Sequence, residues 1–421
     1  MPEPEARHDV LGKCRLQERK HIALAVAAVS TSTARDELDS VPSGNARSDP
    51  LTTDLGNRIR PGESIAAHIA TIKAKIRHEL PPHVFRRCPD RALTALVLGV
   101  AIAALTAVLL TARLPGFPSF VLSVVLGGLY GSLFFLGHEA GHGSVVRQRH
   151  LQDALMGIAF LIFLLPPTLW RVWHNKVHHV HTNLPDYDPD NFGRLAEYRR
   201  LRSIRVVAAF TPGSGRWISL LYLPTWFTVH TQLVLWVQSR RCRGFESLNR
   251  PRAAAESLVM GGFWVWLAMQ LGPWSSLLVI VLPMMVANTI IMSYIVTNHL
   301  LRPVVDEPDP LATSMSVTTH PWMDLIHFNF SHHVEHHFFP AMSPRYAPLV
   351  RAKLRQYARD SFLAPPHLRA LRAVFRTPRI HDEHDVLVDP VSGRSIRFAD
   401  LDSVLVAVTG ARPRDPRGGE P

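Results

Sequence analysis

The chain reads as an all-α integral membrane protein: four transmembrane helices in two hairpins, carrying a histidine-rich cap on the cytoplasmic side. Three features point there. Uncharged apolar tracts recur at membrane-spanning length, 23 histidines crowd into 421 residues, and the turns between the apolar tracts hold almost no arginine. Hydrophobic residues make up 47% and charged residues 19% of the chain, which excludes a wholly disordered protein, a coiled coil and a collagen. The three cysteines, Cys14, Cys88 and Cys242, lie far apart. They make no disulfide framework and fall one thiolate short of an iron–sulfur cage.

Residues 1–60 mix Ser, Thr, Asp, Arg and Pro without periodicity and are expected to form a disordered tail. The short apolar run Ala23–Ala28 is too brief for a signal-peptide core. A membrane domain then covers 61–365, opening on a polar surface helix over 61–91. Residues 92–112, bracketed by Arg91 and Arg113, and residues 117–137 are uncharged. Each matches the roughly 20 helical residues that a bilayer core requires, and Leu114-Pro115-Gly116 joins them as a hairpin. Residues 154–170 are apolar but short and interrupted by Pro166-Pro167, so they should dip into the membrane or lie flat on it. Residues 217–237, beside Arg216 and including His230 and Gln232, read as one or two interfacial helices. From Ser257 to Asn298 there is no Asp, Glu, Lys or Arg. Gly272-Pro273 divides this tract into helices 257–272 and 275–298, the second hairpin. Residues 366–421 look like a small soluble C-terminal extension. In it, Val386–Asp389 and Arg394–Phe398 flank a Pro-Val-Ser-Gly turn as a hairpin.

The net charge is +12, from 46 basic and 34 acidic residues. The basic residues gather at the N-terminus, in 147–256 and after 300. Positive residues stay cytoplasmic, so both termini and the middle region should lie on the cytoplasmic side of a multi-pass protein of the cell (inner) membrane. Basic residues do not run together with interleaved aromatics, and no zinc-finger spacing occurs. The surplus is therefore assigned to the lipid bilayer and not to nucleic acid.

Histidines form three groups: His138-Glu139-Ala140-Gly141-His142, His174-Asn175-Lys176-Val177-His178-His179, and His333-Val334-Glu335-His336-His337. Residues three and four apart share a helix face. On that rule His138 points with His142, His174 with His178 and His179, and His333 with His336 and His337. Imidazole suits iron, zinc and copper, and eight imidazoles exceed one coordination sphere, so a pair of ions is expected. All three groups must meet on one side of the membrane, which is a second reason to deny 154–170 a crossing. His299 ends the long uncharged tract at the same membrane face as His138, and an ionisable group in that position is a candidate ligand. Asp186, Asp188 and Asp190 follow the second group and could orient its imidazole N–H groups. His150, His181 and His332 read as bystanders, and the 381–385 stretch as a charged linker.

At this point the chain resembles the membrane fatty acid desaturase superfamily, whose members carry three histidine boxes around a di-iron centre. HEAGH (138–142), HNKVHH (174–179) and HVEHH (333–337) match the boxes, and NFSHHVEHHFFP (329–340) is the most telling stretch. The resemblance spans roughly residues 65–365. It implies two iron ions held by His138, His142, His174, His178, His179, His333, His336 and His337, with His299 as a ninth ligand. Asn298 and Asn329, together with Asp186 and Asp188, are supporting candidates around them. Ile295 stands where some members carry an Asn that binds through water. The second box has three residues between its first two histidines, where many members have two.

The resemblance further implies an O2-dependent desaturase that introduces a double bond into a fatty acyl lipid. No heme-binding HPGG loop occurs. Electrons would come from an external donor, a ferredoxin or flavodoxin with its reductase. Phe134, Phe135 and Trp173 flank the boxes and could line a tunnel for the acyl chain. Lipid, alkane or carotenoid hydroxylases and ketolases share the boxes and remain an alternative. More remote are a histidine-rich metal transporter and an intramembrane zinc protease, the latter because His138–His142 also fits HExxH.

Overall fold

The computed structural model describes residues 63–406, apart from 113, 192, 383 and 384. The expectations for the tail 1–60, for Arg113, for the centre of the 381–385 stretch and for the last residues lie outside the described part.

Helix α1 (Ile65–Glu79) starts at Ser64, whose side chain accepts the Ala67 N–H at 3.2 Å, a standard N-cap. Next come α2 (Asp90–Thr111) and α3 (Gly116–Gly141). Helix α4 (Arg149–Phe160) runs through a 3₁₀ turn to Leu164, whose φ of 54° reverses the chain. Helix α5 (Pro167–Val172) then leads into a π-helical turn, Trp173–His178. The two arms around this break are bent by 109°. After α6 (Arg202–Phe210) and α7 (Tyr222–Trp236) come α8 (Arg250–Ser276) and α9 (Leu282–His299). The remaining helices used below are α10 (His333–Phe338), α11 (Ala347–Tyr357), α12 (His367–Arg376) and α13 (Phe398–Val406).

This is an all-α membrane protein. Among the described residues, three helical stretches are long and apolar enough to cross a bilayer: α2, α3 and the 50-residue run Arg250–His299. Helix α2 leaves Leu93, Leu96, Val97 and Val100 exposed, a face that only lipid can cover. The long run is not straight. Gly272 adopts φ 74° and ψ 170°, a backbone conformation open to glycine, and Pro273 follows it. Just past the break, the Ser276 hydroxyl donates back to the Ala268 carbonyl at 3.2 Å. The boundary expected between 272 and 275 thus falls where the backbone breaks, although helical hydrogen bonding resumes at once.

Helices α3 and α9 form the central pair. The Ser123 hydroxyl donates to the Leu278 carbonyl at 2.6 Å. A Cβ on Gly127 would lie 2.5 Å from Val286 Cβ and 2.8 Å from the Pro283 carbonyl, so a side chain is excluded there. Small residues at such crossings are how membrane helices approach closely.

Three segments differ from expectation. Helix α7, in the segment expected to be interfacial, buries Tyr222, Trp226, Phe227, His230 and Val234 against the core and packs on α9. Its aromatic face had a better partner than the membrane surface. Helix α1 spends Ile69, Ile72 and Ile76 in a second apolar cluster with Val350 and Leu354 of α11 and Phe338 of α10, and so covers the third box. The described part of the C-terminal extension does not stand apart. Its antiparallel strands β1 (Ile380–His381), β2 (Val386–Val388) and β3 (Ser395–Arg397) include the expected hairpin. Ala370, Val374, Leu387, Phe398 and Leu401 join the main core, and Arg302 pairs with Asp402 at 2.7 Å.

Gly127→Leu should lower the melting temperature of the detergent-solubilised protein, at a cost of about 1–3 kcal/mol for overpacking. Gly128→Leu, where no atom lies within 4 Å of the added Cβ, should leave it unchanged. Equal melting of both variants would refute the tight α3–α9 crossing.

Candidate metal centre

The C-terminal turn of α3 carries His138, with His142 immediately after the helix. The third box forms α10. Between them, the second box adopts the π-helical turn Trp173–His178. Its wider i→i+5 spacing absorbs the third residue between the first two histidines of this box. It also brings His174 and His179, five apart, to 3.1 Å between their Nε2 atoms.

The imidazoles fall into two groups of four. His138, His142, His174 and His336 offer nitrogens within 4.8 Å of one another, and so do His178, His299, His333 and His337. His179 sits with the first group, its Nε2 3.1 Å from that of His174 and 3.0 Å from that of His336. Its ring centroid is only 4.4 Å from that of His337, in the second group. The shared-face rule was too coarse here. His174 and His178 stack at 5.2 Å yet serve different groups, and His336 leaves His333 and His337 for the first. The second and third boxes each contribute to both groups, whereas both histidines of the first box serve the first group.

The donor set fits a pair of cations. His333 Nε2 lies 2.6 Å from His299 Nε2, and His174 Nε2 3.0 Å from His138 Nε2. Neutral rings cannot all donate to one another, so lone pairs converge on the same space. The buried His142 Nε2 has no hydrogen-bond partner among the described residues. Burial pushes His142 down to about 3. Burial, reinforced by neighbouring imidazoles, holds His333, His336 and His337 well below the ordinary histidine range. These rings are neutral at pH 7, the form that ligates metal.

Outer partners orient the rings. His299 Nδ1 donates to the Thr313 carbonyl at 3.1 Å, which turns Nε2 into the cluster. His178 Nδ1 faces Asp190 at 3.1 Å and Asp188 at 3.4 Å. Burial opposes protonation of His178, but the two carboxylates outweigh it and raise its pKa to about 10. They favour positive charge at this point, whether proton or metal. Burial would raise Asp190 in turn, but His178 and His230 hold it well below the usual carboxylate range. The His230 Nε2–Asp190 Oδ1 distance is 2.8 Å. Beneath α10, Glu335 accepts from Arg351 Nε and the Ser316 hydroxyl, both at 2.5 Å. Glu139 is bound to the Ser343 hydroxyl and faces Arg91 Nε at 3.5 Å. It is therefore occupied as a structural acceptor, away from the general-base role a zinc protease would require.

The supporting candidates divide. Asp188 lies against His178. Asp186, in a left-handed turn with φ 65°, gives its carbonyl to Arg243 N–H and is not part of the metal groups. Asp190 takes the place expected of it. Asn298 is fully buried beside His299, and neither of its amide atoms has a hydrogen-bond partner among the described residues. Asn329 instead shapes the approach to the third box: its φ is 59° and its Nδ2 donates to the Pro344 carbonyl at 3.1 Å. His150 is exposed, His181 stacks on Tyr187, and His332 Nδ1 meets the Ser331 hydroxyl. The roles of His230, Arg351 and Trp170 (stacked on His174 at 3.8 Å) depend on contacts distant in sequence, and no local pattern announces them.

An apolar cavity of about 60 Å³ opens onto both groups. Phe134, Trp173, Tyr222, Trp226 and Phe227 wall it, and His138, His174, His178, His299 and His333 form its floor. Phe135 lies outside that wall and packs on Phe330 at 4.4 Å. A second cavity, of about 230 Å³, reaches His179 and His337 from the side of α1, past Lys73.

The chain belongs to the fatty acid desaturase family, whose model matches residues 115–368. It is similar to the sn-1 oleoyl-lipid 12-desaturase of Arthrospira platensis, 25% identical over 53% of this chain and 66% of that one. The Delta 8-(E)-sphingolipid desaturase of Emericella nidulans is 24% identical over 57% of this chain and 49% of its own length. The chloroplastic omega-6 fatty acid desaturase of Arabidopsis thaliana is 21% identical over 87% of this chain and 79% of its own. The chain spans between half and two thirds of the first two relatives.

Acid should destabilise the metal-free protein. The folded-state pKa values of His142, His333, His336 and His337 lie below their unfolded value of 6.5. Below pH 6.5 the unfolded chain therefore takes up protons that the folded chain refuses, and stability falls. The melting temperature of the metal-free protein should drop as the pH falls from about 6.5 to 5.5, below the range in which the raised pKa of His178 acts in the opposite sense. A flat profile would show that these rings are not held neutral by the fold.

Proposed function

We propose that the chain is a membrane di-iron, O2-dependent desaturase that introduces a double bond into a fatty acyl chain, with electrons from an external carrier. The observation that carries this reading is the union of nine imidazoles, in two adjoining groups, with an apolar cavity that opens on both. His138, His142, His174, His179 and His336 would hold one iron, and His178, His299, His333 and His337 the other. When bound, the irons supply the oxidising power that unactivated C–H bonds demand, which acid–base groups cannot provide.

The protein's own residues then bind and orient the substrate. Phe134, Trp173, Trp226 and Phe227 give the acyl chain a dry, narrow slot over the imidazole floor. Asp188, Asp190 and the Thr313 carbonyl fix the rings of His178 and His299. Arg351 and Ser316 satisfy Glu335, so that α10 can stay buried. In the overall reaction two adjacent hydrogens leave the chain. With O2, two external electrons and two protons, these yield the alkene and two waters. The cavity beside Lys73 offers a water-side approach to His179 and His337 for an electron donor such as a ferredoxin or flavodoxin with its reductase.

The topology we infer has four crossings in two hairpins, with both termini and the metal centre on the cytoplasmic face of the cell (inner) membrane. Straight helix over 50 residues would extend about 75 Å, more than twice a bilayer core, which supports a hairpin at Gly272. Glu256, near one end of that run, accepts the Thr168 hydroxyl at 2.7 Å. Thr168 lies two residues from Trp170 at the metal centre, and His299, at the other end, lies in that centre. The bend at Leu164 supports a segment that returns to the face it left. The membrane domain would cover 61–365.

Expression in a host without desaturases, followed by lipid mass spectrometry, tests the reading. A product lighter by two hydrogens is expected. A product heavier by one oxygen would transfer the chain to the hydroxylases of this fold. His299→Ala should abolish that product and lower bound iron, whereas His150→Ala should change neither. Full activity and iron in His299→Ala would remove His299 from the ligand set.

A further inference from the structure

A further cavity lies away from the metal centre. It measures about 380 Å³ and sits between α6, the loop Thr211–Arg216 and the C-terminal strands. Arg202, Arg205, Arg216 and Arg379 line it, against one carboxylate, Asp389. That carboxylate is committed to its own turn: Asp389 accepts from the Ser392 hydroxyl at 2.5 Å and the Val391 N–H at 3.0 Å. Four arginines therefore line the cavity, of which Arg205 already donates to the Tyr198 and Arg199 carbonyls, and the one acid among the lining residues is held in its own turn.

Arg379 makes this a built site. It is 4% exposed. Its Nε donates to the Pro212 carbonyl at 2.9 Å and its Nη1 to the Pro378 carbonyl at 3.0 Å. Its Nη2 is buried with no hydrogen-bond partner among the described residues. A buried guanidinium donor without an acceptor is costly. An anion in the cavity would supply one, in the forked geometry that suits arginine. The loop is fixed for the purpose. Gly213 has φ +84°, and a Cβ there would fall 2.0 Å from the Thr377 carbonyl. The loop therefore lies tight against the segment that carries Arg379.

The position relates this cavity to the acyl slot. Phe210, which ends α6, packs on Tyr222 and Trp226 at 5.7 and 5.8 Å. Both of those rings wall the apolar cavity over the imidazoles. Beyond Arg216, Trp217 and Leu220 are 77% and 68% exposed, as suits an anchor in the membrane interface. A cationic pocket thus adjoins the apolar slot over the imidazoles.

We propose that this pocket binds a phosphate ester on the carrier end of the acyl substrate, so that the substrate is an acyl chain on a phosphorylated carrier and not an uncharged lipid or a free fatty acid. This rests on the desaturase reading for the identity of the chain's partner, but the pocket can be tested alone. Two sources share the chemistry: a phospholipid headgroup, and the phosphate of a soluble thioester carrier such as coenzyme A.

The test uses the full-length, iron-loaded protein in a neutral detergent. Binding is measured for short-chain phosphatidylglycerol, for free coenzyme A, and for a short-chain uncharged glycolipid. Saturable binding of either phosphate-bearing probe is expected, weakening with added salt and at least tenfold weaker in R202A/R216A. Saturation by phosphatidylglycerol assigns the headgroup, and saturation by coenzyme A the soluble carrier. Arg379→Gln should have the same effect. Should it fail to fold, Val391→Glu, an exposed substitution at the cavity rim, brings a competing carboxylate and should also weaken binding. Glycolipid binding as tight as phosphate binding, or unchanged affinity in R202A/R216A, overturns the proposal. Iron content and the lipid product are read in parallel. Loss of phosphate binding with product retained sinks the pocket alone, and phosphate binding with no desaturated product sinks the desaturase reading alone.

Discussion

Nine imidazoles converge in a largely buried space, and that arrangement favours positive charge at its centre. Lone pairs held 2.6–3.1 Å apart repel one another. Burial keeps the rings other than His178 from taking up protons of their own. Asp188 and Asp190 add two carboxylates behind His178. Each of these is unfavourable alone and becomes favourable with cations in the centre. Much of the surrounding fold serves to hold them in place: the glycine-tight α3–α9 crossing, the reversal at Leu164, the π turn, and the Glu335–Arg351 pair under α10.

The same constraint accounts for the division of labour within each box. A regular helix would deliver each box's histidines to a single point. The structure instead splits the second and third boxes between the two groups, keeps both histidines of the first box in one, and sets His179 beside both. The π turn is the means for the second box, and in the third His336 serves one group while His333 and His337 serve the other. The aromatic side chains of α3 and α7 then close the centre from the hydrocarbon side. Tyr222 and Trp226 connect that slot to the arginine-lined cavity beyond α6, so a lipid with an apolar tail and an anionic head has complementary surfaces along one path.

Much of this was legible in the sequence because membrane solvation and metal ligation leave strong local marks. Uncharged tracts marked α2, α3 and the 250–299 run. Gly272-Pro273 marked the break between α8 and α9. Paired histidines marked the boxes, and one histidine ending an apolar helix marked His299. What was not legible depended on partners distant in sequence. The packing of α7 on α9 was not legible because periodicity is the same whichever partner covers an apolar face. The C-terminal residues looked like a separate extension because each short element is polar on one side, yet Ala370, Leu387 and Leu401 insert into the main core. Asp186 and Asp190 could not be distinguished by spacing, since a single left-handed residue turns the first away. A π turn has no propensity signature, so the split between His174 and His178 required coordinates.

The central claim is that the nine imidazoles divide into two metal sites, and X-ray absorption at the iron edge, with iron quantified per chain, tests it most directly. The account predicts two irons per chain, each in a first shell dominated by imidazole nitrogen. One zinc per chain with no iron, or an iron shell dominated by carboxylate oxygen, would contradict it.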